Sequence, residues 1–265
     1  MCVRSVLTSP ALMLLEYLTG DSGNETKSTA QGDISSALHT CTSFSEILVS
    51  REFTHSVSHE LLLQSAARLL VHHARIGPFR PALIREHLTR FLNFFPQNTM
   101  FLSLYTWNES RLRIDNRVRN MLLSTVLTPE NDTLTSRLFA IRYEIWHGTI
   151  HSVRSAFEHA LSSPVCKSSA GLWRFYILYH LETSRFRSQA KDIWYRAIKA
   201  CPWAKELYMI GFEKMCDMLP FAELKSIWKI MGEKDLRVHV DLQDRFEDIA
   251  ELEKAAGKHR QLGYE

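Results

Sequence analysis

The sequence predicts an all-α chain, an α-solenoid built from antiparallel helix pairs. Three observations predict it. An aromatic residue followed by glutamate recurs at Tyr143-Glu144 and Phe212-Glu213, with a near match at Trp107-Asn108-Glu109, so the three glutamates stand 35 and 69 residues apart. Proline recurs between them at Pro96, Pro129, Pro164 and Pro202, with spacings of 33, 35 and 38. Glycine and proline are scarce, at 10 and 8 in 265 residues, while leucine, arginine, alanine and glutamate are plentiful, which favours helix. Two marks with one shared period indicate a two-helix unit repeated in tandem.

Each element has its own justification. Residues 1–20 read as a partial helical start that ends at Gly20. Residues 21–36 are polar and small, and are expected to form a flexible insertion. Residues 37–240 are expected to form the repeat array. Leu61, Leu62, Ala66, Leu69 and Leu70 form a helical stripe that stops at Gly77-Pro78. Pro81 sits where a first-turn proline is tolerated, ahead of a stripe from Leu83 to Phe95 that Pro96 closes. Met100–Glu109 and Ile114–Leu127 make the next pair, then Leu134–Trp146 and His151–Ser163, then Leu172–Glu182 and Gln189–Cys201. Leu207–Met215 and Phe221–Met231 form the last pair, and 241–265 holds a terminal helix and tail. The first helix of a pair presents bulky aromatics, such as Trp173 and Tyr176. The second presents small residues on one face, Ala156/Ala160 and Ala190/Ala197. Small residues let a facing helix approach, so an aromatic fills the groove between neighbours. Trp173 is accordingly assigned to the core, as are Trp194 and Trp228, while Trp203, at a repeat junction, is assigned to an interface.

The bulk numbers exclude more than they select. A net charge of +3 is too small to mark a nucleic-acid protein without clustering. The five cysteines form no C-x-x-C pair and are odd in number, so neither a disulfide framework nor a zinc site is expected. Pro10 and Glu16 interrupt the apolar N-terminal stretch, which argues against a signal peptide. No window reaches the length of a membrane-spanning helix. No G-x-S-x-G elbow, Walker A loop or G-x-G-x-x-G occurs, so no catalytic residue, metal ligand or cofactor is assigned and the chain is expected not to be an enzyme. His55/His59 and His147/His151 have the i,i+4 spacing of paired metal ligands, but surface or capping roles fit their contexts better.

Partner-binding candidates are few. Arg111, Arg113, Arg117 and Arg119 cluster beside Tyr105 and Trp107, a composition that stacks bases and pairs phosphates. Glu109 and Asp115 dilute the cluster, so a solvated face or intramolecular ion pairs compete with RNA contact. Trp203 is the fifth candidate.

The repeat marks resemble the half-a-tetratricopeptide (HAT) repeat, a TPR-like superhelix. Trp173-Arg-Phe-Tyr176-Ile-Leu-Tyr179 is similar to its first helix, with His180 in place of the usual glutamate. Val153-Arg-Ser-Ala-Phe157-Glu158-His-Ala160-Leu161 and Ala190-Lys-Asp-Ile193-Trp194-Tyr195-Arg196-Ala197-Ile198 are similar to its second. A narrower resemblance lies in Tyr195-Arg-Ala-Ile-Lys-Ala-Cys201-Pro202-Trp203-Ala204-Lys205-Glu-Leu-Tyr208 and in Met231-Gly-Glu-Lys234-Asp-Leu-Arg237-Val238. Both resemble the nuclear RNAi-defective-2 (nuclear exosome regulator) family. That resemblance implies a non-enzymatic protein–protein scaffold in the nucleus, serving RNA surveillance, splicing and small-RNA-directed silencing. The implied partners are protein components of RNA-decay or splicing complexes, the exosome RNA helicase among them, and a second copy of the chain. The helicase contact lies mainly in a more N-terminal region of the family, so this chain is read as a C-terminal fragment, an isoform or an incomplete gene model. A HAT scaffold of another RNA-processing complex (splicing, polyadenylation or ribosome biogenesis) and a direct RNA-binding module are the competing expectations.

Overall fold

The computed structural model describes residues 27–76 and 79–236, and these residues are helical with short connections. The elements are α1 (Lys27–Ser50), α2 (Val57–Ile76), α3 (Pro81–Phe94), α4 (Thr99–Arg111), α5 (Asp115–Met121), α6 (Leu134–His147), α7 (Ile150–Ser162), α8 (Ala170–Glu182), α9 (Ala190–Ala200), α10 (Lys205–Lys214) and α11 (Phe221–Glu233). A wide turn of helix, Leu122–Val126, extends α5, and a tight one, Ser184–Gln189, precedes α9. The expected start at 1–20 and the terminal helix in 241–265 lie outside the described residues.

Sequence chemistry sets the ends. Helices α3, α7 and α9 stop at Phe94, Ser162 and Ala200, two residues short of Pro96, Pro164 and Pro202. The residue before a proline is pushed out of the helical region, so the last turn closes one residue earlier. Asn98 caps α4, its Oδ1 accepting from the amides of Met100 at 3.0 Å and Phe101 at 3.2 Å. Its Nδ2 donates to Glu60 at 2.7 Å, tying the cap to α2. Thr133 and Ser169 cap α6 and α8 in the same way. Short connections turn α2 back along α1, α4 along α3 and α9 along α8.

One boundary differs from expectation. Residues 27–36, assigned by composition to the polar insertion, form the first turns of α1. No proline and one glycine fall between Lys27 and Ser50, so serine and threonine cost only a few tenths of a kcal/mol each (about 0.5). Ala37, Cys41 and Leu48 bury the later turns against α2, and helix propagates from that packed half.

The chain divides between Val153 and Arg154 into two compact units. In the first, α2 packs on α4 and α4 on α6, while α3 and α5 lie against α4. Alternate helices in contact are what stacked two-helix repeats require. Its core joins Leu62, Leu69, Leu88, Phe101, Val118 and Val126. In the second unit α8 packs on α9 and α10, and α10 on α11. There Phe157 stacks on Tyr176 with ring centroids 4.6 Å apart, and Ala160, Ala190 and Ala197 are buried where the facing helix comes close. Trp173 is buried, its Nε1 donating to the Lys167 carbonyl at 2.9 Å. Trp194 is fully buried. Trp228 is the exception among the tryptophans assigned to the core: it is 38 % exposed, because α11 turns that face outward.

Candidate interaction surface

The arginine cluster separates into two kinds. Arg117 and Arg119 are engaged in ion pairs with carboxylates of neighbouring helices, although Arg117 stays partly open to solvent. Glu109, on α4, is fully buried, and Arg85 of α3 reaches it through Nε at 2.6 Å and a second nitrogen at 3.2 Å. Arg117 of α5 binds the same carboxylate at 3.0 Å, and the Asn108 amide donates to it at 2.9 Å. One repeat later, Glu144 of α6 takes a two-pronged bond from Arg119 at 2.7 and 3.1 Å. At two of its three positions, Glu109 and Glu144, the recurring glutamate therefore ties a first helix to the second helix before it, while Glu213 is exposed. One repeat after Glu144, His180 stands in the glutamate's place, buried, with its pKa lowered chiefly by that burial. It holds a polar contact with the Phe186 carbonyl at 3.4 Å instead of a guanidinium.

Arg111 and Arg113 remain exposed. Arg111 lies over the rings of Phe79 at 4.5 Å and Trp107 at 5.3 Å. Arg113 sits at the end of α4 with a left-handed φ of 55°. The four arginines thus do not form one basic patch: intramolecular ion pairs account for two of them. Trp203 is 59 % exposed between α9 and α10, in the other unit.

The Glu144 pair responds to pH. Burial alone would raise the Glu144 pKa, but hydrogen bonds from the Arg119 guanidinium and the Ser152 hydroxyl, together with the Arg119 charge, hold it below its ordinary value. A depressed folded-state pKa adds stability above the unfolded value of about 4.5, and that stability is lost as pH falls through the folded value. Glu144→Gln is expected to flatten the loss of melting temperature below about pH 4.5, read by thermal unfolding across pH 3–7. An unchanged acid limb would mean that the pair contributes nothing.

The paired histidines do not converge on a ligand. His59 is buried, contacting the Ser45 hydroxyl at 2.8 Å and the Thr54 carbonyl, and His55 lies edge-on to Phe95. His147 stacks on Tyr143 at 4.9 Å. Among the described residues, no three His, Cys, Asp or Glu side chains stand together to hold a metal ion, and no helix is long and apolar enough to cross a membrane. Burial pushes the Cys41 thiol up to about 12, which leaves it an unreactive core residue.

The surface that the sequence did not point to lies along α4. A groove of about 370 Å³ opens between α4 and α6, lined by Ser103, Thr106, Trp107 and Ser110 on one side and by Phe139, Arg142, Tyr143, Trp146 and His147 on the other. Trp146 is 72 % exposed, with the Arg142 guanidinium 5.1 Å from its ring centre. A second groove, of about 290 Å³, lies across α4 against α2, between Met100 and Leu104 and the side chains of Arg68, Val71, His72 and Arg75. Met100, Ser103, Leu104, Trp107 and Ser110 follow helical spacing, so both grooves share one stripe of α4. A signal existed in the sequence: α2, α4 and α6 each carry a single glutamate, while α2 and α6 each carry two or more cationic or histidine side chains.

No known family profile matches the chain. It is similar to the nuclear exosome regulator NRDE2 of Mus musculus, 28% identical over 198 residues, and to that of Homo sapiens, 26% identical over 198 residues. It is also similar to the NRDE2 of Dictyostelium discoideum, 26% identical over 196 residues. These matches cover 66%, 66% and 70% of this chain but only 16%, 16% and 15% of those proteins, so the chain spans about a sixth of their length. The Cys201-Pro202-Trp203 junction, the Met231–Val238 sequence and the three matches point to one set of relatives: over about two thirds of its length the chain is similar to the nuclear exosome regulator NRDE2 proteins.

Proposed function

We propose that the chain is a non-enzymatic protein–protein scaffold that works in the nucleus, in RNA processing and surveillance. Its partners are protein components of RNA-decay or splicing complexes, with the exosome RNA helicase and a second copy of the chain among the candidates. The observation that carries this reading is the use made of the charged side chains. Glu109, Glu144, Arg85, Arg117 and Arg119 are spent holding helix to helix. What remains at the surface along α2, α4 and α6 is a shallow face with apolar grooves, which suits another protein better than a small substrate. The names of the relatives support the nuclear RNA-decay setting. Direct RNA binding through the arginine cluster is the second reading, and the pairing of Arg117 and Arg119 with carboxylates weighs against it.

The test is affinity purification of the tagged chain from nuclear extract, with and without RNase, read by mass spectrometry. Recovery of RNA-decay or splicing proteins after RNase is expected. Loss of every nuclear partner on RNase treatment would replace the scaffold reading with RNA binding.

A further inference from the structure

We propose that the face shared by α2, α4 and α6 docks an acidic amphipathic peptide segment of a partner protein, its carboxylates on the arginines and its apolar side chains in the two grooves beside α4. The proposal rests on the scaffold reading and gives its ligand a chemistry.

Charge is the first ground. The acidic residues on these three helices are Glu60, Glu109 and Glu144. Each is already engaged, Glu60 by the Asn98 amide, Glu109 by Arg85 and Arg117, and Glu144 by Arg119. Arg68 and Arg75 flank one groove and Arg142 the other, all exposed. No ion pair joins any of the three to a carboxylate among the described residues. One carboxylate meets the groove wall of α6: Asp115, on α5, accepts from the Tyr143 hydroxyl at 3.2 Å and lies 3.9 Å from His147. Cationic side chains therefore outnumber carboxylates around both grooves, which favours an acidic ligand.

Shape and surface chemistry separate a peptide from a nucleic acid. Bases bind by stacking on open aromatic faces. Here the Arg142 guanidinium already covers a face of Trp146, and Arg111 lies over Trp107. The groove on the other side of α4 offers Val71, Met100 and Leu104, which give bases nothing to stack on but suit leucine or phenylalanine side chains. A guanidinium lying on a ring still presents its outer N–H groups in a fork that fits a carboxylate. Two apolar grooves on either side of one helix, each with its own arginine, match a ligand helix with apolar residues along one face and acids beside them.

The experiment measures fluorescence anisotropy of labelled probes titrated with the whole chain. The main probe is a peptide of about 15 residues with leucine and phenylalanine at i, i+3, i+4 and i+7 spacing and glutamate between them. Its controls replace glutamate by lysine, or leucine and phenylalanine by serine, and a fourth probe is oligouridine. Binding of the main peptide is expected, with little binding of either control. Arg75→Glu and Arg142→Glu are each expected to weaken it by about tenfold, and Trp146→Ser by a similar factor, with thermal unfolding unchanged because all three sites are exposed. Equal binding of the serine control, tighter binding of oligouridine, insensitivity to the three substitutions, or no binding at all would each overturn the proposal. If the Arg75→Glu/Arg142→Glu chain still recovers its nuclear partners after RNase, this face is removed and the scaffold reading stands. If the wild-type chain recovers none while the peptide binds as described, the scaffold reading fails and the face remains.

Discussion

Trp194→Ala is expected to cost about 3–5 kcal/mol, the range for a large aromatic deleted from a packed core. The indole is fully buried between α9 and α10, with Nε1 donating to the Leu207 carbonyl at 2.6 Å. Opposite it stands Gly211. A Cβ added there would lie 2.9 Å from Cη2 of the indole and closer still to Cζ2. The helix is close because position 211 has no side chain, and the indole fills the space that this creates. Gly211→Ala is therefore expected to destabilise, by about 1–3 kcal/mol from overpacking, although alanine is the better helix former by about 1 kcal/mol. Urea unfolding followed by fluorescence and circular dichroism checks both. Combining Gly211→Ala with Trp194→Phe should recover part of the loss, since the smaller ring leaves room for the methyl group. A Gly211→Ala chain as stable as the parent would mean that the two helices do not meet at this distance.

Glu109→Ala is expected to have the next largest effect, about 2–4 kcal/mol. That lies somewhat below the ~3–5 kcal/mol for breaking a fully buried pair, because Arg85 and Arg117 keep 26% and 42% of their side-chain surface and regain some water. The carboxylate itself has none, so its removal leaves two guanidinium groups and the Asn108 amide facing an empty site. Thermal unfolding should show a drop in Tm of roughly 5–15 °C for a chain of this size. Arg85→Met alone should cost less, since Arg117 continues to neutralise Glu109. Equal stability of Glu109→Ala and the parent would remove the carboxylate as the tie between α3, α4 and α5.

The repeat was legible in the sequence where a local mark reports a local event. Prolines 96, 164 and 202 mark helix ends because the conformational restriction acts on the adjacent residue. Apolar periodicity places α2 to α11 close to their observed bounds because a 3.6-residue stripe needs only its own helix. The start of α1 was not legible: Lys27–Ser36 is poor in apolar residues, and its helix is set by the buried half from Ala37 to Leu48. The arginine cluster shows the same limit in the site. Arg117 and Arg119 stand together in the sequence, but the partner of Arg119 is Glu144, on another helix. Glu109 could be seen to dilute the cluster, yet its role as a buried anchor depends on Arg85, 24 residues before it. The groove beside Trp107 escaped for the same reason, since its other wall, Arg142 and Trp146, comes from the next first helix. Gly211 carries no sequence mark beyond being a glycine in a helix, and its reason lies in Trp194 on a neighbouring element.

Direct contact with protein rather than RNA is the central claim, and paired cross-linking in intact nuclei tests it most directly. Ultraviolet cross-linking records RNA touching the chain, and a lysine- and carboxylate-directed reagent records protein touching it. The expected result is RNA cross-linking at background, with protein cross-links to RNA-decay or splicing components that survive RNase. Abundant RNA adducts at Trp107 or Trp146, with no RNase-resistant protein cross-links, would contradict it.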